Sequence, residues 1–294
     1  MPSRPRSRKR GRRSPRRRTR RTRWSRFRPS TLRKKLPSKR TRRRWWRVWR
    51  GLPRGLRWPV VAVVAVATLL AFNGVYQIAR KPSELFFPVS DVLRKSPAKT
   101  WEAYAPLFRR HSTNLITADL LAALAQVEGA GNPVARTYWR WALDRNLFNV
   151  YQPASSSVGM YQISDGTFEQ SRRYCIRDHE VVASGAWNDW HSCWFNALYT
   201  RVVPSHAIEL TAVHLDRSVE QALKRHPIPN ATLREKQKLA ALVHLCGAGA
   251  GRAHARRGLL LEPGQRCGTH DVRRYLEKVA TQQSRFRVFA DAER

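Results

Sequence analysis

Acidic residues are scarce in this 294-residue chain, 20 Asp and Glu against 57 Lys and Arg, and none comes before Glu84. That absence excludes a conventional charged-surface domain at the N-terminus and any partner there that is itself strongly basic. Residues 1–57 hold 27 of the basic residues, with many Ser and Pro and few aliphatics. A segment of that composition cannot bury enough apolar surface to offset chain entropy, so it is expected to be disordered. The remainder carries 30 basic against 20 acidic residues, a moderate excess that suits work on or near an anionic polymer.

Charge is missing altogether between Arg57 and Arg80. The run WPVVAVVAVATLLAFNGVYQIA, residues 58–79, would span about 33 Å as a helix, long enough to cross a bilayer. Only Thr68, Asn73 and Gln77 interrupt it, without the polar stripe of a buried amphipathic helix. Its basic approach is too long, and its apolar stretch too long, for a cleaved signal peptide, so the expectation is an uncleaved signal anchor. The positive-inside rule then keeps the N-terminus in the cytosol and exports the chain beyond residue 80, leaving a single-pass protein of the inner (cytoplasmic) membrane. Trp45, Trp46, Trp49 and Trp58 suit the interface at the cytosolic end.

Cysteine is sparse as well, with four residues, all beyond the apolar run. No CxxC occurs and His206 and His214 lack the HExxH spacing, which argues against zinc-ribbon and zinc-protease chemistry; no metal and no cofactor are expected. On the exported side two disulfides are the natural reading, and of the three pairings the short loops Cys175 to Cys193 and Cys246 to Cys267 are favoured.

No strong alternating strand pattern and no internal repeat is present. The chain reads as mainly α, with a disordered tail (1–57), a membrane anchor (58–79), a Pro-broken connector (80–112) and one helical domain (113–290). Candidate helices are a short one around Trp101 to Phe108 and then Ala118 to Gly129, Ala135 to Leu147, Thr167 to Tyr174, Ser205 to Arg225, Leu233 to Leu245 and Val272 to Thr281.

Thr117 is placed to cap the helix ADLLAALAQVE, and Gly129, Gly131 and Asn132-Pro133 end it. Leu121, Leu124, Ala125 and Glu128 then share one face by their i, i+3, i+4, i+7 spacing. A carboxyl at the end of an apolar stripe meets both desolvation and the negative end of the helix dipole, which should raise its pKa and make it a proton donor. Some thirty residues on, PASSSVGMYQISDGTF combines Ser156 and Ser157, Gly159, Tyr161 and Gln162 with a fresh helix start at Ser164 or Asp165. There a Gly permits close approach, and a Gln amide offers donors and an acceptor to a sugar.

LLAALAQVEGAGNP resembles the helix of soluble lytic transglycosylases that ends in a catalytic Glu and an Asn-Pro. SSSVGMYQISDGTF is similar to their Gly-x-x-Gln segment, and LAALVHLCGAGAGRA to their late Gly-containing helix; the set covers about 115 to 255. The resemblance implies a lysozyme-like transglycosylase domain that binds peptidoglycan glycan strands. Glu128 would act first as acid and then as base, giving a 1,6-anhydro end, with Gly159, Tyr161 and Gln162 as groove wall. This chain has Gly129 where the family has Ser, so that hydroxyl contact is either absent or supplied by Ser156 or Ser157. It has Tyr161 where the family has Met, and Cys246-Gly247 where the family has Tyr-Asn.

Two other readings stand beside this one. A lysozyme-type hydrolase would need a second carboxylate from Asp144, Asp165, Asp178 or Glu169, although Asp165 is simply explained as an N-cap. A non-catalytic peptidoglycan-binding assembly protein would keep the groove without turnover. The tail is expected to attract anionic membrane lipids and, on the cytosolic side, non-specific nucleic acid, and the domain to work beside envelope machinery.

Overall fold

In the computed structural model the described residues are 46–81, 84–85, 91–142, 150–186, 188–189 and 192–293. Most of the Arg-rich tail lies outside them, as do Asp144 and His191. The chain divides into two units, 1–61 and 62–294. In the first, the Arg57 guanidinium donates to the Leu52 and Arg50 carbonyls at 3.1 and 3.0 Å. Arg50 itself lies 5.4 Å over the Trp46 ring.

Helix α1, Arg54–Arg80, is long and apolar enough to cross a membrane. Val63, Phe72 and Val75 along it are exposed, as lipid-facing positions would be. Of its polar interruptions, Asn73 and Gln77 are buried, and Thr68 Oγ1 donates back to the Val64 carbonyl at 2.7 Å, satisfying itself within the helix.

The folded body is mainly helical. Helix α2, Pro97–Arg110, starts on a Ser96 cap with Pro97 at its first position. It is longer than the short helix expected in the connector, and Trp101, Tyr104, Ala105 and Phe108 enter the core, so the packed body reaches back to Pro97. Helix α3, Ala118–Gly129, matches the sequence reading in extent, but every residue from Leu120 to Ala125 is buried. With no polar residue among those six positions the helix has no wet face, and the rest of the body packs around it. Thr117 occupies the N-cap without capping, because its Oγ1 accepts from Gln237 Nε2 at 3.1 Å. The left-handed turn that ends α3 falls at Ala130 and Gly131, and a Cβ on Gly131 would meet Thr100 Oγ1 at 2.3 Å.

The helix expected from Ala135 to Leu147 is not formed over its described part. Trp139–Trp141 is instead a strand, β1, paired antiparallel with β2, Tyr151–Pro153. The alternating Trp139 and Trp141 both pack on Tyr151, at 5.1 and 4.7 Å between ring centres, and such cross-strand aromatic pairs favour the pleated form. Helix α4, Asp165–Ser171, begins on Ser164, whose side chain accepts from Thr167 N; Asp165 is the first helical residue and not the cap. A hairpin comes next, β3 Tyr174–Arg177 and β4 Glu180–Ala183, turned by Asp178 and His179, both at positive φ.

Helices α5, Pro204–Arg225, and α6, Leu233–Arg256, pack on each other, the latter opened by a Thr232–Glu235 capping box. Helix α6 breaks at Gly247 (φ 82°, ψ 165°) and then continues to Arg256, well beyond the expected end at Leu245. A two-residue hairpin, β5 Arg266–Cys267 with β6 His270–Asp271, leads into α7, Val272–Ala292. Cys175 pairs with Cys193 and Cys246 with Cys267, the two bridges favoured from loop length.

Candidate functional site

Glu128 sits in the last turn of α3 and remains about one-fifth exposed, while Leu120 to Ala125 earlier in the helix are buried. Two side chains from other helices meet its Oε1. The Tyr275 hydroxyl, from α7, donates to it at 2.6 Å. His244 Nε2, from α6, lies 3.6 Å away. Burial pushes the His244 pKa below the ordinary histidine range even though the Glu128 charge pulls it upward, so the pair is a neutral imidazole beside a carboxyl and not an ion pair. Burial, reinforced by Glu128, pushes the Tyr275 phenol well above its usual value and keeps it a donor.

Of this group His244 lines a cavity of about 260 Å³, together with Ser157, Tyr161, Gln162, His214 and Gly247, among others. The Ser-Gly-Tyr-Gln loop and the break in α6 therefore face the same space. His214, from α5, is pushed down to about 4, by burial first and then by the nearby His244 and Arg217. The cavity thus carries two neutral imidazoles.

The sequence-derived loop residues take different parts. Gly159 (φ 81°) is packed so tightly that a Cβ would meet the Arg201 carbonyl at 2.3 Å. Gln162, itself at positive φ, turns its amide inward and donates to the Ala135 and Gly159 carbonyls at 3.1 and 2.9 Å, so it braces the loop as well as lining the cavity. Tyr161 is fully buried and donates its hydroxyl to the Leu121 carbonyl at 3.0 Å, tying the loop to α3. Ser156 faces a neighbouring hollow with Arg80, Lys81, Asp165 and Arg201, and its Oγ accepts from Asp165 N. Asp165 is exposed and paired with Arg201 at 2.7 Å.

Gly129 has a steric cause. A Cβ there would lie 2.8 Å from Met160 Cα and 2.9 Å from its carbonyl oxygen, so the residue after Glu128 must be Gly for the loop to close on α3. The hydroxyl contact to the carboxyl comes from Tyr275 rather than from Ser156 or Ser157. Tyr275 is legible as part of the stripe Val272, Tyr275, Leu276, Val279, since a Tyr hydroxyl on a buried face needs a partner. His244 and His214 give no such signal, being lone histidines within apolar helices. Among the described residues, no cluster of His, Cys, Asp and Glu is arranged to hold a metal.

Compared with protein-family models, curated proteins and solved structures, the chain has no significant match.

Proposed function

We propose that the protein is a membrane-anchored peptidoglycan lytic transglycosylase with Glu128 as its single acid/base residue. The observation that carries this reading is the Glu128 carboxyl at the end of a largely buried helix, held by Tyr275 and flanked by His244, which lines a cavity together with Tyr161 and Gln162 of the Gly-x-x-Gln loop. A proton on Glu128 passes to the glycosidic oxygen as the bond to N-acetylmuramic acid breaks. The carboxylate then takes the proton of the muramic acid 6-hydroxyl, which closes on the anomeric carbon as a 1,6-anhydro ring. The Tyr275 bond engages Oε1 and leaves Oε2 for both transfers. No second carboxylate enters, in keeping with the engagement of Asp165 by Arg201.

In this reading α1 anchors the chain in the cytoplasmic membrane and the folded body is periplasmic, held near its polymer. The Arg-rich tail on the cytosolic side associates with anionic lipids. The test is the mass of the products from purified glycan strands. Wild type should release ends lighter by one water than hydrolysed ends, and Glu128→Gln should bind strands but release none. Reducing ends would instead identify a lysozyme-type hydrolase, and binding without cleavage by wild type a non-catalytic assembly protein.

A further inference from the structure

A second group of reactive side chains gathers where α2 ends, α5 begins and β3 passes. His111 comes directly after α2, Ser205 is the second residue of α5, and Glu209 lies one turn further along the same face. His111 Nε2 stands 2.9 Å from Ser205 Oγ, and His111 Nδ1 stands 3.6 Å from Glu209 Oε2. Both His111 and Glu209 are about 95% buried. The Glu209 carboxylate is fixed from two further sides, Oε1 accepting from Ile176 N at 2.9 Å and Oε2 from the Tyr199 hydroxyl at 2.6 Å. Its remaining role is to face His111, which sets the tautomer with Nδ1–H toward Glu209 and the Nε2 lone pair toward the serine hydroxyl.

Nucleophile, base and orienting carboxylate in that order are the parts of acyl-transfer catalysis by serine. Two further features fit. Ser205, His111 and Glu209 line a cavity of about 270 Å³ bounded by the Cys175–Cys193 bridge, with Arg110 and Arg177 at it. Val203, at the N-cap of α5, offers no side-chain cap, so the first-turn N–H groups of Ser205 and His206 lack an intrahelical acceptor and would be the donors nearest in sequence to an oxyanion on the Ser205 adduct. A purely architectural tie between α2 and α5 would need neither an open cavity at the hydroxyl nor an uncapped helix start.

We propose that Ser205, His111 and Glu209 form a second reactive centre, a serine acyl hydrolase for short-chain carboxylic esters whose alcohol part carries negative charge, drawn by Arg110 and Arg177. Ser205 Oγ bonds to the ester carbonyl carbon while its proton moves to His111 Nε2, and that proton leaves with the alcohol as the ester C–O bond breaks. Water then attacks the acyl-serine, gives a proton to His111, and releases the carboxylic acid as Ser205 recovers its hydrogen. The centre is independent of Glu128 and stands whether or not the chain cuts glycan.

Burial holds the His111 pKa below the ordinary histidine value, with Glu209 opposing and Arg110 and His206 adding to the depression. Among the groups facing it, Tyr199 is pushed well above the ordinary phenol range by burial and then by its bond to Glu209, and stays neutral. The base is therefore ready at neutral pH, and the midpoint of the decline in rate with acid should lie below 6.5.

The experiment uses the full chain in detergent with both disulfides intact. A fluorophosphonate should add once per chain, with peptide mapping placing the phosphonyl group on Ser205 and fluoride released. Turnover of p-nitrophenyl acetate should drop by about 10²- to 10⁴-fold in His111→Asn, and both label and turnover should vanish in Ser205→Ala. If Ser205→Ala fails to fold, mapping on wild type decides alone: label on Ser205 supports the centre. No label, label elsewhere, or label and turnover unchanged in a folded Ser205→Ala overturns it.

Discussion

The Tyr275 hydroxyl donates to Glu128 Oε1 across 2.6 Å, joining the last helix of the chain to the end of its most buried one. A hydrogen bond to a charged group contributes about 1.5 to 3 kcal/mol, and its removal also leaves a partly buried carboxyl short of a donor. Tyr275→Phe should therefore lower stability by about that amount. It should also slow glycan cleavage by about tenfold, the equivalent of about 1.4 kcal/mol in the barrier. Denaturant titration and strand digestion on the same preparation check both, and unchanged values for each would mean that the phenol is idle.

Gly129→Ser would restore the residue usual in the lytic transglycosylases that the sequence resembles, yet the expected outcome is damage. Its Cβ would press on the Met160 backbone, which cannot swing aside as a side chain can. Overpacking of this kind costs about 1 to 3 kcal/mol, read as a lower denaturation midpoint at constant slope. A midpoint equal to wild type would show that the loop relaxes freely.

Acid should destabilise the body in a defined window. His111, His206, His214, His244 and His254 all have pKa values lowered by burial, His214 to about 4. The unfolded chain then binds more protons than the folded one below pH 6.5, so stability is full above that value and is lost as pH falls from about 6.5 toward 4. Melting temperature measured across pH 8 to 4 should be flat and then fall. His214→Gln should shallow the lower part of that fall, and an unaltered profile would place the proton uptake elsewhere.

Reduction should cost stability at both bridges. Cys175–Cys193 and Cys246–Cys267 close loops of 18 and 21 residues, for which about 2 to 4 kcal/mol each is typical. Protein purified without reductant should contain no free thiol and should melt lower after reduction. Four free thiols in such protein would refute the pairing.

Legibility from sequence depends on the kind of signal each element carries. Helices α3, α5 and the first part of α6 are readable because an apolar period and clear ends coincide there. The β1 strand is easily misread because Ala135, Tyr138, Trp139 and Ala142 satisfy a helical i, i+3, i+4, i+7 pattern, and only Tyr151, ten residues beyond Trp141, decides for the pleated form. The continuation of α6 past Gly247 escapes a reading by pattern because a Gly at positive φ looks like a stop and here is a break that packing carries through. At the site, Glu128 stands out from its helix, whereas His244 and His214 acquire meaning only when α5 and α6 bring them to one cavity.

The all-round burial of α3 has a consequence in time as well as in space. Backbone amides leave their hydrogen bonds most slowly where opening requires the whole core to come apart. Leu120 to Ala125 should accordingly be among the last amides of the molecule to exchange with deuterium, and Glu128 is carried on the same helix barely a turn beyond them. The Ser-rich loop is tied to that same helix, through the Tyr161 hydroxyl on the Leu121 carbonyl and through Met160 against Gly129. Helix and loop should therefore exchange slowly together, and in the proposed reaction a strand would meet a site already set before it arrives.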